Sequence, residues 1–216
     1  AVVLTASETS IAGDDLTVNS VATILSTSSS VTLRAGDNVT ISSGSTIQAS
    51  TGIIITADFN DDVADTTGAN VIVAGTLIAP MASIGVDAAA DDDDTFTITP
   101  SVATPITVDA EDGIDTLNFA ADGLAVTIEG NQITAAGRKP VTFSNFEFVN
   151  ILNANGGGSV TLLAEPGNAD AMILTGTGQK EGTFMLSGGV PISFSGVDSF
   201  TFHAGDLADE ITVTPF

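Results

Sequence analysis

The chain has 216 residues, of which 27 are Asp or Glu and only 4 are Lys or Arg, for a formal net charge of -23. A field of that sign repels nucleic acid and anionic membranes and attracts cations, so it excludes a nucleic-acid partner. No stretch approaches ~18 consecutive apolar residues, which excludes insertion as a spanning helix. There is no Cys, Trp or Tyr, but 11 Phe and a hydrophobic share of 43%. Disulfides and thiolate metal sites are therefore ruled out, sugar-stacking aromatic platforms are disfavoured, and enough apolar material remains to fold a core. Polar positions are filled mostly by Thr, Ser, Asn and Gly, a vocabulary of strands and turns rather than helices.

The N-terminal Ala1-Val2-Val3-Leu4-Thr5 reads as a strand with no basic signal-peptide region, so the sequence reads as a segment of a longer chain. From residue 16 to 90 short alternating runs follow one another: Leu16-Thr17-Val18, Val21 to Leu25, Val31-Thr32-Leu33, Val39-Thr40-Ile41, Thr46-Ile47, Ile53 to Ile55, Val71-Ile72-Val73 and Leu77-Ile78. Gly, Asn and Ser punctuate them. Strands this short and regular predict stacked circuits with aliphatic residues inward, a right-handed parallel β-helix; an array of small β-sandwich repeats is the alternative. The stretch Ser30 to Ile41, with Gly44-Ser45-Thr46-Ile47, resembles the β-helical repeats of filamentous-haemagglutinin-type bacterial surface proteins. The resemblance covers about the first 85 residues and implies a parallel β-helix at an extracellular or cell-surface location.

At Asp91-Asp92-Asp93-Asp94-Thr95-Phe96-Thr97-Ile98-Thr99-Pro100 an acidic loop runs into an alternating strand that a proline ends. The same onset, an aspartate followed by alternating apolar residues, recurs at Asp15, Asp115, Asp170 and Asp209. Residues 1–90 are accordingly read as haemagglutinin-like circuits and 91–216 as their continuation. Gly137-Arg138-Lys139-Pro140-Val141-Thr142-Phe143-Ser144 is answered 51 residues later by Gly188-Gly189-Val190-Pro191-Ile192-Ser193-Phe194-Ser195. The spacing predicts repeat units over 96–159 and 160–210 and a third starting at 211, each built of further stacked circuits.

Three groups of acidic residues are candidate metal ligands. Asp58, Asn60, Asp62 and Asp65 follow the alternation with which a calcium loop brings oxygens to one hard cation, without the glycine and glutamate of an EF-hand. Asp92 and Asp94 belong to the four-aspartate run. Gly113-Ile114-Asp115-Thr116-Leu117, preceded by Asp112, resembles the second half of an RTX-type nonapeptide, as does, more loosely, the region of Asp206 and Asp209; that resemblance implies calcium as the bound ion. Paired carboxylates are too common here to signal glycoside hydrolysis. The bases are Arg34, Arg138, Lys139 and Lys180, and His203 is the single histidine. No Gly-x-Ser-x-Gly elbow or phosphate loop is present. The reading is of a non-enzymatic structural or adhesive segment, a stalk, sheath, surface layer or filament. It would be stiffened by calcium and partnered by itself, by neighbouring repeats or by surface or matrix polysaccharide. A carbohydrate-binding or carbohydrate-cleaving module is the second reading.

Overall fold

The computed structural model of the chain describes residues 1–7, 9, 13–60, 67–87, 92–153, 156–164 and 167–215. Among these there is no helix, and the strands are short and mostly paired in parallel. The first circuit is β1 (Val2–Ala6), β2 (Leu16–Val18) and β3 (Thr23–Ser26). The second is β4 (Val31–Ala35), β5 (Val39–Ile41) and β6 (Thr46–Ala49), and the third is β7 (Ile53–Ala57), β8 (Asn70–Val73) and β9 (Thr76–Ile78). Each strand pairs in parallel with its counterpart in the next circuit, which makes three sheets, A, B and C, one for each side. The third strand of the first circuit starts at Thr23; Val21, expected within it, is 90% exposed in a left-handed turn.

Sheet C stops at β9, for a reason visible in the sequence. The next circuit has β10 (Ala82–Val86) and β11 (Thr95–Ile98), and then Pro100 and Pro105 bracket the segment where a third strand would fall. A proline has no amide to give to a ladder. Side chains take the place of the missing strand: Ser101 Oγ and Thr104 Oγ1 donate to the Leu77 carbonyl, at 3.0 and 2.8 Å, and the Ala79 amide donates to Thr104 Oγ1 at 2.9 Å. Sheets A and B continue without a break, β10 pairing with β7 and with β12 (Ile106–Asp109), β11 with β8 and with β13 (Thr116–Ala120).

The repeat units hold a feature that their periodicity alone does not disclose. After β13 the chain makes an antiparallel meander, β14 (Val126–Glu129), β15 (Gln132–Ala135) and β16 (Val141–Ser144), all in sheet A. It returns to sheet B as β17 (Phe148–Leu152) and to sheet A as β18 (Gly158–Leu163), which pairs in parallel with β14. A second meander, β19 (Ala171–Gly178), β20 (Glu181–Leu186) and β21 (Ile192–Ser195), lies in sheet B, followed by β22 (Val197–His203) in sheet A and β23 (Glu210–Thr214) in sheet B. The register is the same in both: Ile133 pairs with Val141, and 51 residues later Phe184 pairs with Ile192. From β13 the chain runs through two sets of five strands, β13 to β17 and β18 to β22. With two alternating sheets an odd number places the second set on the sheets opposite to the first.

The expectation that each unit is built of further stacked circuits is thus corrected by the two antiparallel meanders. The first turns on Gly130-Asn131, two residues between Glu129 and its partner Gln132, with Gly130 at φ 55°. A two-residue loop with a positive-φ glycine first is a tight hairpin connection whose twist suits the flanking strands. The second turns on Gln179-Lys180, with Lys180 at φ 66°.

Alternation fills the core. Val39 and Ile41, Val71 and Val73, Phe96 and Ile98, Leu117 and Phe119, and Val149 and Ile151 stack in register down sheet B, all buried. Leu33, Ile55, Ile84 and Val108 do the same in sheet A. The ring of Phe96 meets that of Phe146 edge to face at 5.3 Å. Phe96→Ala should cost about 3–5 kcal/mol in urea denaturation. The neighbouring Thr97→Ala, on the opposite face, should cost less than about 1 kcal/mol; equal costs would contradict the alternation.

Candidate functional site

All eight described candidate ligands lie on connections that run from sheet A to sheet B. Asp58 and Asn60 follow β7, Asp92 and Asp94 lie between β10 and β11, Asp112 and Asp115 between β12 and β13, and Asp206 and Asp209 between β22 and β23. Asp62 and Asp65, like Asp91, lie outside the described residues. The acidic turns are therefore one feature repeated at one corner.

The register explains why they meet. Leu16, Val39, Val71, Phe96, Leu117 and Val149 are successive partners in sheet B. Two residues before each stand Asp14, Asp37, Ala69, Asp94, Asp115 and Glu147. In this column an amide of one circuit donates to the carboxylate of the next. The Asp14 amide donates to Asp37 Oδ2 at 2.5 Å, Ala69 to Asp94 Oδ1 at 2.6 Å, Asp94 to Asp115 Oδ1 at 2.7 Å and Asp115 to Glu147 Oε2 at 2.7 Å. Ala69, with no carboxylate, interrupts the ladder. Beyond the first meander the arrangement recurs where β19 pairs with β23: the Asp170 amide donates to Asp209 Oδ1 at 2.8 Å. Asp206 Oδ1 accepts from Gly167 at 3.4 Å, a weak contact at an exposed turn.

The ladder sorts the candidates. It joins Asp94 to Asp115 and adds Glu147, Asp37 and Asp170. Asp112 is exposed on the same turn. Asp58, buried and at φ 51°, lies at the same corner, its amide donating to the Asp37 carbonyl at 3.2 Å; the Asn60 amide donates to Asp87 Oδ2 at 3.1 Å. Sequence reasoning passed over Glu147 because it precedes Phe148-Val149 without an aspartate onset, although it fills the same register. Asp14 rather than Asp15 holds the column position in the first circuit; Asp15 Oδ1 instead accepts from the Asn38 side chain at 2.8 Å.

Asp94 and Asp115 are 1% and 0% exposed. Burial pushes the Asp94 carboxyl up to about 7, the charges of Asp115, Asp92 and Asp93 adding to the effect and the Ala69 hydrogen bond opposing it. Burial likewise pushes Asp115 up to about 6, with Glu147 and Asp93 adding to it and the Asp94 hydrogen bond opposing it. Asp94 Oδ2, Asp115 Oδ2 and Asp170 Oδ2 are buried with no hydrogen-bond partner. Gly113 (φ 140°) sets the distance between the two acidic loops, since a Cβ there would lie 2.3 Å from the Asp92 carbonyl oxygen and 3.0 Å from Asp115 Oδ1. Among the described residues no three acidic or histidine side chains converge closely enough to hold a metal by themselves.

Of the basic residues, Arg34 lies beside the turn that carries Asp58 and Asn60, and Arg138, Lys139 and Lys180 lie away from the acidic corner. The Arg34 guanidinium stacks 4.5 Å from the centroid of the Phe59 ring, Lys180 Nζ pairs with Asp198 at 2.6 Å on the surface, Arg138 and Lys139 lie in the turn between β15 and β16, and His203 is exposed at the end of β22. A cleft of about 720 Å³ opens between the two meanders, lined by Ile128, Phe143, Leu162 and Phe184 with Asp170 at its edge. Asp170 is the one ionisable residue in its described lining, so no acid–base pair is assembled there. The site thus defines an acidic all-β chain of stacked short strands with one carboxylate-lined corner. No protein-family model, curated protein or solved structure matches it.

Gly113→Ala combines an unfavourable φ with a backbone clash and should cost about 1–3 kcal/mol in urea denaturation; a neutral substitution would mean that the two loops are not in contact. For acids with raised folded values, the folded chain retains protons that the unfolded chain releases above about 3.8. Their contribution is therefore greatest below that pH and is lost as pH rises through about 6 to 7. In chelator-containing buffer the melting temperature should fall from pH 4 to pH 8. Asp94→Asn/Asp115→Asn should flatten that fall more than Asp112→Asn/Asp206→Asn, which removes two exposed charges. Equal flattening would reduce the effect to general repulsion.

Proposed function

We propose that this chain is a stretch of a right-handed parallel β-helix, and that its work is structural or adhesive, within a large extracellular or cell-surface repeat protein. The observation that carries this reading is the continuity of sheets A and B, ten strands each, through every change of local design. Parallel ladders linked along one axis resist extension and bending, as stacked repeats do. Sheet B presents Thr97, Asn118, Asn150 and Ser193 in successive register, and Asn150 donates to the Asn118 side chain at 3.0 Å. Such a face is polar, nearly uncharged and suited to packing against another rod or a polysaccharide. The resemblance of residues 30–47 to haemagglutinin-type repeats points the same way.

End strands of open sheets carry unpaired backbone groups, and β1, β22 and β23 occupy such positions. The residues of β23 are all exposed, including Ile211 and Val213. Pairing with neighbouring repeats or with a second copy would cover them. Light scattering across a concentration series should show growing particles, and incubation with insoluble polysaccharides should give retention without new reducing ends. Release of reducing ends would replace this reading with the carbohydrate-cleaving one. Monomeric behaviour without retention on any surface would leave the structural role unsupported.

A further inference from the structure

Where the two meanders face each other, sheets A and B do not close on one another. Ile128, Phe143 and Leu162 of sheet A and Phe184 and Ile192 of sheet B, each at most 5% exposed, line the cleft of about 720 Å³. That is the size of a small-molecule site, in which apolar walls hold the body of a ligand and a few polar groups orient it. Polar residues at two turns close one end, Asp170 before β19 and Ser187 after β20. Asp170 is 6% exposed. Its Oδ1 accepts the Ser187 hydroxyl at 2.8 Å, and the Ala171 amide donates to that same Ser187 oxygen at 3.2 Å. Its Oδ2 is buried and has no hydrogen-bond partner. A carboxylate oxygen left so is costly until a donor meets it. The Asp170 amide donates to Asp209 Oδ1 at 2.8 Å, which brings a second acid beside the first, and no Lys, Arg or His is in the described lining. The charge at this end therefore favours a cationic donor and disfavours an anion.

We propose that this cleft binds a small organic cation, an apolar ring-sized body held between sheets A and B with a primary ammonium on the Asp170 carboxylate. An ammonium has three donors and no acceptor, which matches a carboxylate that has one oxygen to spare. The Ser187 hydroxyl fixes the carboxylate before the ligand arrives, so little ordering is left for binding to supply. The apolar body covers walls that otherwise face an open cleft. The inference goes beyond the structural role and rests on the cleft alone, so either can fail without the other.

The test is a titration of the whole chain at neutral pH with 2-phenylethylammonium chloride, followed by amide chemical shifts. Saturable changes confined to the residues around the cleft, near 128–131, 168–171 and 184–192, are expected, with Kd of roughly 10⁻⁴–10⁻³ M for a ligand of about nine non-hydrogen atoms. 2-Phenylethanol has the same body without the charge and should bind about 10-fold more weakly, and phenylacetate should not bind. Asp170→Asn should weaken the ammonium about 10-fold and leave 2-phenylethanol unchanged, a split that general loosening of the cleft would not give. Should that variant not fold, the order of the three probes on the unaltered chain decides. Absence of saturable changes, equal affinity for the ammonium and for phenylacetate, or changes spread over every acidic turn, as a counter-ion alone would give, overturns the proposal.

Discussion

The structure depends on strict register between parallel strands about 4.8 Å apart. That spacing places chemically equivalent residues of successive circuits directly over one another. For aliphatic residues the consequence is favourable: Val71, Phe96 and Leu117 form a continuous buried row. For acids it forces carboxyl groups into a column, where repulsion would separate the circuits unless each is engaged. The chain meets the constraint by letting the amide of one circuit donate to the carboxylate of the next, so that the same groups that repel also tie the circuits together.

The solution is incomplete, and its incompleteness is informative. A carboxylate has two oxygens, and the ladder engages one. The second oxygens of Asp94 and Asp115 are left buried without a partner, and burial is the largest cause of the raised values of the pair. At Ala69 the column position has no carboxylate, yet β8 pairs on both sides, so the ladder is not needed there for the sheets to stack. The buried acids are an addition to a fold already held by alternation.

Much of this was legible in the residues. The onset of an aspartate followed by alternating apolar residues marks the strands that start at Thr116, Ala171 and Glu210, and Phe96 and Ile98 face inward as their spacing requires. The 51-residue repeat was also plain, but its interior was not. Gly130-Asn131 lies between two alternating runs and is a hairpin signal in its own right, yet among so many Gly and Asn turns it does not stand out. Gln179-Lys180 carries no such signal, because its left-handed residue is a lysine. That an odd strand count moves the meander from sheet A to sheet B is a property of the topology and has no local signature. Glu147 joins the site for the same kind of reason: its place is set by the stacking of β17 on β13, which no neighbouring residue announces.

The central claim is that register buries a pair of carboxyls whose charge the fold does not compensate. Carbon-13 NMR of the side-chain carboxyls, followed through a pH titration without divalent cations, tests it at the atoms concerned. The account predicts that Asp94 and Asp115 titrate well above the ordinary value of 3.8, toward about 7 and about 6. Titration of both near 3.8 would show that the corner is open to water and that the column does not exist as described.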